Sequence, residues 1–166
     1  MKNLFFLTTI VFLQISCNSN KTKSEEKISS KKVHVMIPKS SCYAFYSTKD
    51  TILLKVEVFP NVVTGILKYQ ISEKDKNEGT IKGKLEGNKL FADYTFSSEG
   101  RTSVREVAFL LNENEAIEGF GEMKDDKDIM SFKDKIAINF TKGIKLTQIN
   151  CAENDGKFKI EQLKNE

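Results

Sequence analysis

The sequence predicts an all-β protein folded as an antiparallel meander of about nine strands. Apolar and polar residues alternate over most of the chain after Cys42, which is typical of strands that bury one face. Turn-forming residues separate the alternating segments roughly every 11 to 16 residues. No segment between residues 42 and 150 repeats its apolar residues at helical spacing. We therefore expect helical or irregular structure only in a short C-terminal tail.

The predicted strands follow one another in chain order. They are expected at residues 42–48, 51–59, 62–73, 79–86, 89–98, 101–111, 115–123, 128–140 and 144–150. The apolar faces of the second to fifth strands are formed by Ile52, Leu54, Val56 and Val58, by Val63, Leu67, Tyr69 and Ile71, by Ile81 and Leu85, and by Leu90, Ala92, Tyr94 and Phe96. Pro60-Asn61 and Gly87-Asn88 are typical turn pairs between them. The strand 128–140 is expected to bend near Asp134, and residues 157–163 are the one helical candidate.

A barrel is the expected closure of this meander. Up-and-down sheets of this size usually close on themselves, because closure removes exposed edges. Glycines within the predicted strands, such as Gly65, Gly79 and Gly83, favour a sheet that coils sharply. We expect a barrel similar in architecture to the lipocalins, with a two-sheet β-sandwich as the alternative. The likeness is one of architecture, since the chain contains no Trp and so lacks the Gly-x-Trp motif of that family.

The first 16 residues have the layout of an export signal. Lys2 is followed by an apolar stretch at residues 4–15, which is too short to span a bilayer. Ile15-Ser16-Cys17 resembles the cleavage site of bacterial lipoproteins, although Gln14 stands where Leu is usual. The resemblance implies cleavage before Cys17 and a lipid anchor, with acyl chains such as palmitate, on that cysteine. A plain secretory signal is the alternative.

Four segments are therefore expected along the chain. They are a signal peptide at 1–16, a lipid-anchored polar tether at 17–41, a folded domain at 42–151 and a charged tail at 152–166. The stretch after Cys17 is rich in Ser, Asn, Lys and Glu and cannot bury enough apolar surface to fold. A lipid on Cys17 places the domain at a membrane of the bacterial cell envelope, facing either the periplasm or the exterior.

Cys42 and Cys151 are left once Cys17 is assigned to the lipid. Export leads to an oxidising compartment, where two cysteines at the ends of a domain predict a disulfide. Metal or redox chemistry is the alternative. The chain has no C-x-x-C pair and a single histidine, His34, so a zinc site lacks its usual ligands.

The sequence shows no pattern typical of an enzyme or of a nucleic-acid-binding protein. There is no phosphate-binding glycine loop, no H-E-x-x-H and no G-x-S-x-G. The run Asp125, Asp126 and Asp128 resembles the start of a calcium loop but lacks the glycine and glutamate that follow in one. The net charge of +3 is nearly balanced, and only two of the basic residues are arginines. We expect no cofactor, no metal and no nucleic-acid partner.

Both arginines, Arg101 and Arg105, lie in one predicted strand whose two faces each mix charged and apolar residues. Arg105 shares a face with Val107, whereas Glu106 shares one with Ala108, so one charged group is expected to point toward the core. A buried charge requires a partner. The expected partners of an inward arginine are Asp93, Glu118 and Glu122. Arg105, together with the hydroxyl of Tyr94, is the candidate ligand-binding group, and a structural ion pair is the alternative.

Three functions remain after these exclusions. The first is a non-catalytic, lipid-anchored module of the cell envelope that acts by binding an envelope protein or another partner. The second is a carrier or sensor of a small apolar or amphipathic ligand, with Arg105 or Tyr94 at the polar end of a cavity. The third is an enzyme that would use carboxylates such as Glu106 and Glu118.

Overall fold

The computed structural model describes residues 39–160 apart from Asp75, Glu99, Gly100 and Asp128. These residues form the strands β1 (Lys39–Tyr46), β2 (Thr51–Val58), β3 (Val63–Gln70), β4 (Asn77–Glu86), β5 (Lys89–Ser98), β6 (Arg101–Leu111), β7 (Glu115–Gly119), β8 (Met123–Asp126), β9 (Ile129–Phe132) and β10 (Lys145–Ile149). A helical turn, α1 (Cys151–Asn154), and a 3-10 turn (Asp155–Phe158) follow. The predicted signal peptide, the predicted lipidation site at Cys17 and the predicted tether up to residue 38 lie outside the described residues.

Eight of the strands close into an antiparallel barrel. Strands β1 to β7 pair in chain order, and β10 completes the ring between β7 and β1. The predicted all-β fold, the meander and the barrel are therefore confirmed, and the alternative of two separate sheets is not what forms. Strand β1 begins at Lys39, ahead of the predicted domain start at 42.

The barrel interior is filled by the apolar faces that the alternation predicts. Fully buried side chains from seven strands meet there, among them Ile52, Leu54, Leu67, Ile81, Leu90, Phe109, Ala116 and Leu146. A Cβ added at Gly65 or Gly79 would collide with a backbone carbonyl of the neighbouring strand. Only glycine permits this close approach of neighbouring strands, so a side chain at either position would force the two strands apart.

The chain between β7 and β10 departs from the predicted pattern. The strand expected at 115–123 ends at Gly119, and the strand expected at 128–140 is reduced to β9. Asp134 accepts a hydrogen bond from the backbone N–H of Ile136, and Asn139 accepts one from that of Thr141. These side chains accept hydrogen bonds from backbone N–H groups that a longer strand would use to pair with its neighbour. Strands β8 and β9 form a hairpin instead, and β9 pairs in parallel with β6 at Val104 and Arg105.

The C-terminal turns pack on the outside of the barrel. The predicted disulfide between Cys42 and Cys151 is present, and the two Cα atoms are 5.3 Å apart. Phe158 is 2% exposed and lies against Cys42, Ala44 and Leu53. The helix expected at 157–163 is instead the pair of turns over residues 151–158, because Asn150 caps α1 by accepting from the N–H of Ala152. The segment expected to be a tail is therefore part of the fold as far as Phe158.

The loops that connect the strands lie at two opposite ends of the barrel, and each end is named after one of its residues. We call one the Lys74 end, formed by residues 47–50, 71–74 and 120–122. The other is the Asn88 end, formed by residues 59–62, 87–88 and 112–114. Within the described part of the chain, no helix has the length and apolar character needed to cross a membrane.

Candidate functional site

A cavity of about 400 Å³ opens at the Lys74 end and reaches into the barrel. Its polar wall includes Tyr69, Asn77, Arg105 and Glu118. Its apolar wall includes Ile52, Ile71, Val107, Phe120, Phe132 and Ile144. Ligand cavities in proteins commonly measure 300–1,000 Å³ and combine an apolar lining with a few polar groups. This cavity has both properties.

Arg105 enters the barrel because it lies directly opposite the inward-facing Tyr94 in the β5–β6 ladder. Its guanidinium carbon lies 5.1 Å from the ring centre of Tyr69, and 5.5 Å from those of Tyr94 and Phe96. A cation over aromatic faces gains about 0.5–2 kcal/mol per favourable contact. These three rings hold the guanidinium in place without neutralising its charge.

The guanidinium of Arg105 has no direct ion-pair partner among the described residues. No carboxylate there lies within 4.0 Å, and its buried Nε has no hydrogen-bond acceptor. Of the expected partners, Asp93 is exposed and opposite Glu106, and Glu122 is bonded to Lys133 at 3.0 Å. Only Glu118 shares the barrel interior with Arg105. The arginine therefore presents an uncompensated donor edge at the cavity.

Glu118 is a buried carboxylate, 7% exposed, on the inward face of β7. The hydroxyl of Tyr69 donates to its Oε1 at 2.5 Å. Burial raises the pKa of Glu118, while the Tyr69 hydrogen bond and the charge of Arg105 oppose that rise. Burial and the adjacent carboxylate likewise hold the pKa of Tyr69 well above its usual range, so the phenol remains the donor.

Tyr94, the second candidate from the sequence, lies behind Arg105 and outside the cavity lining. Its ring stacks on Phe96 with centroids 4.8 Å apart, and its edge meets Tyr69 at 5.9 Å. Its hydroxyl is buried and finds no hydrogen-bond partner in the described structure, and burial raises its pKa. The position indicates that Tyr94 supports Arg105 through its ring.

Glu106 faces the outside of the barrel and fastens the segment after β8. Its Oε2 accepts from the backbone N–H of Phe132 at 2.9 Å, and its Oε1 lies 2.9 Å from Lys135 Nζ. Phe132 in turn packs on Phe91 and Ala108, outward residues of β5 and β6. Both oxygens of Glu106 are thus engaged in holding a wall of the cavity, and the structure does not bring this carboxylate into contact with Glu118.

A second, wider concavity of about 750 Å³ lies at the Asn88 end. It is lined by exposed loop residues such as Asn112 and Glu113 and by partly buried apolar residues such as Val58 and Leu85. Its charged residues, Lys39, Glu113 and Glu115, are all exposed or only partly buried. The smaller cavity is therefore the better candidate, because it combines the buried carboxylate of Glu118 with an arginine whose buried Nε has no acceptor among the described residues.

The described residues hold no cluster of three or more His, Cys, Asp or Glu side chains that could bind a metal ion. The sequence indicated one inward charge on β6, and the structure shows that it is Arg105. Sequence reasoning missed Tyr69, whose only signal is a polar tip at a core position of β3. No protein-family model, curated protein or solved structure matches this chain.

Proposed function

We propose that this protein is a non-catalytic binding module of the bacterial cell envelope whose barrel holds a small amphipathic ligand. The anionic group of the ligand pairs with Arg105, and its apolar part lies among Ile52, Val107 and Phe132. One observation carries the proposal. Arg105 lines the cavity, yet no carboxylate of the described residues lies within 4.0 Å of its guanidinium, and its buried Nε has no hydrogen-bond acceptor there.

The energetics favour an anion at this position. Desolvating a charge without a partner is unfavourable, and aromatic rings offset only part of that cost. A carboxylate or phosphate ester of a ligand would accept two parallel hydrogen bonds from the guanidinium, which is the strongest arrangement for this side chain. The apolar wall then gains from covering the hydrocarbon part of the same molecule.

The proposal includes a lipid anchor on Cys17, supported by the lipoprotein-like sequence around it. Two or three acyl chains are enough to hold a globular domain at a membrane, and the polar residues after Cys17 supply a spacer. Replacing Cys17 by Ser should move the protein into the soluble envelope fraction. Retention of the Cys17→Ser chain in the membrane fraction would contradict the anchor and leave the ligand proposal standing.

Native mass spectrometry tests the ligand proposal. The full chain carrying Cys17→Ser is exported in a bacterial host and purified without detergent. We expect an adduct of a few hundred daltons that is lost on denaturation. Arg105→Met should lose this adduct, whereas Arg101→Met should keep it, because Arg101 is exposed and lines no part of the cavity. A bare mass for all three chains would favour a filled barrel that acts through its surface.

A further inference from the structure

The polar groups of the cavity carry both signs of charge. Arg105 supplies an inward cation and Glu118 an inward carboxylate, while the other two charged residues of the lining are the exposed Lys74 and the already paired Glu106. The ring of Tyr69 lies under the guanidinium of Arg105, and its hydroxyl donates to Glu118. The two charges nevertheless form no ion pair within 4.0 Å. A gap between opposite charges in one cavity leaves room for a ligand group that contacts each of them.

One buried acceptor in the same cavity lacks a donor, and a second acceptor is bonded at only one of its two oxygens. Glu118 receives the Tyr69 hydroxyl at Oε1, and no other donor among the described residues bonds its carboxylate. Asn77, on the neighbouring wall, has a buried Oδ1 with no hydrogen-bond partner. Buried polar atoms in folded proteins are nearly always satisfied by protein, water or ligand. Asn77 Oδ1 therefore calls for a donor that the described residues do not supply, and the second oxygen of Glu118 is open to accept from the same group.

A simple anion would satisfy only half of this site. It would pair with Arg105 but bring its negative charge close to the buried carboxylate of Glu118, and like charges repel more strongly at a partly buried site than in open water. A simple cation would meet the same difficulty with Arg105. A ligand that carries both charges on adjacent atoms avoids both repulsions and supplies donors to Asn77 and Glu118.

Resting on the ligand-binding role proposed above, we infer that the ligand is zwitterionic: its carboxylate pairs with Arg105 and its ammonium donates to Glu118 and Asn77. The apolar wall formed by Ile52, Val107 and Phe132 then takes a hydrocarbon side chain. The class that fits is an α-amino acid or a related amino-carboxylate with an apolar side chain. Selection arises because neither charged group of the protein is fully compensated until both ligand charges are present.

Three probes with the same eight-carbon chain separate the possibilities: octanoate, octylammonium and 2-aminooctanoate. Titration calorimetry at pH 7 on the full chain carrying Cys17→Ser gives the affinity for each. We expect 2-aminooctanoate to bind at least tenfold more tightly than either singly charged probe. The ranking needs no substitution in the barrel, so it stands whether or not a variant folds.

Glu118→Gln provides the matched variant, since it keeps the shape and removes the negative charge. This substitution should weaken the binding of 2-aminooctanoate at least tenfold and leave the binding of octanoate unchanged or tighter. If octanoate binds the parent chain as tightly as 2-aminooctanoate and Arg105→Met abolishes that binding, the zwitterion inference is overturned and the proposed function survives. If none of the probes binds, or octylammonium binds most tightly, the zwitterion inference and the proposed function are both overturned.

Discussion

Tyr69 and Tyr94 offer a direct comparison of a satisfied and an unsatisfied buried hydroxyl. Both rings lie in the barrel core, 7% and 0% exposed, and they touch edge to face. The Tyr69 hydroxyl donates to Glu118 at 2.5 Å, whereas the Tyr94 hydroxyl has no partner in the described structure. We predict that Tyr69→Phe destabilises the protein and that Tyr94→Phe does not.

The expected magnitudes follow from these contacts. A hydrogen bond to a charged group contributes about 1.5–3 kcal/mol, and its loss leaves the buried carboxylate of Glu118 with a larger desolvation penalty. Tyr69→Phe should therefore lower the free energy of unfolding by about 1.5–3 kcal/mol, or the Tm by roughly 6–12 °C. Tyr94→Phe removes only a buried hydroxyl without a partner, so stability should be unchanged or rise by about 1 kcal/mol.

Urea unfolding of the parent chain and the two variants measures both differences on one scale. The dependence of the unfolding free energy on urea concentration should be the same for all three chains, which shows that each unfolds to the same extent. Equal destabilisation by the two substitutions would refute the reasoning, because it would mean that the Tyr69–Glu118 hydrogen bond contributes no more than ring packing.

Three further predictions concern the disulfide, the buried carboxylate and the C-terminal turn. Cys42→Ser should cost about 4–5 kcal/mol under oxidising conditions, because the bond closes a loop of 109 residues, and nothing in reductant; an equal loss in both would contradict a stabilising bond. Glu118 binds its proton more tightly in the folded state, so its contribution to stability is complete below about pH 4.5 and is lost as pH rises through the raised pKa. The free energy of unfolding of the parent chain, measured against that of Glu118→Gln, should therefore fall as pH rises through this range. The same pH dependence in both chains would refute this. Phe158→Ala should cost about 3–5 kcal/mol in thermal or urea unfolding, whereas a neutral effect would mean that this turn is not part of the core.

The regular part of the barrel was predictable because local patterning determines it. The expected bounds of the strands 89–98 and 101–111 are those that the structure has, since strong alternation and flanking turns mark both. The Cys42–Cys151 bond was predictable from chemistry and position alone. The segment after β7 was not, because Phe132 folds back on Phe91 and Ala108 through contacts distant in sequence.

The candidate site was predictable only in part. Both faces of β6 mix charge with apolar residues, so the alternation could not decide between Arg105 and Glu106. The decision lies in contacts distant along the chain: Glu106 meets Phe132 N–H and Lys135 outside the barrel, and Arg105 meets aromatic rings inside it. The Tyr69–Glu118 bond joins residues 49 apart, and no local pattern pairs them.

The central claim, that a ligand anion pairs with Arg105 inside the barrel, can be observed at a single nitrogen. The chain contains only two arginines, so the Nε–H region of a ¹H–¹⁵N spectrum holds two signals, from Arg101 and Arg105. Titration with 2-aminooctanoate should shift the Arg105 signal, whose Nε is buried without an acceptor, and leave that of the exposed Arg101 in place. If the Arg105 signal stays in place at a saturating concentration of the probe, no ligand anion pairs with Arg105. If both signals move together, the binding is nonspecific, and the pairing is likewise contradicted.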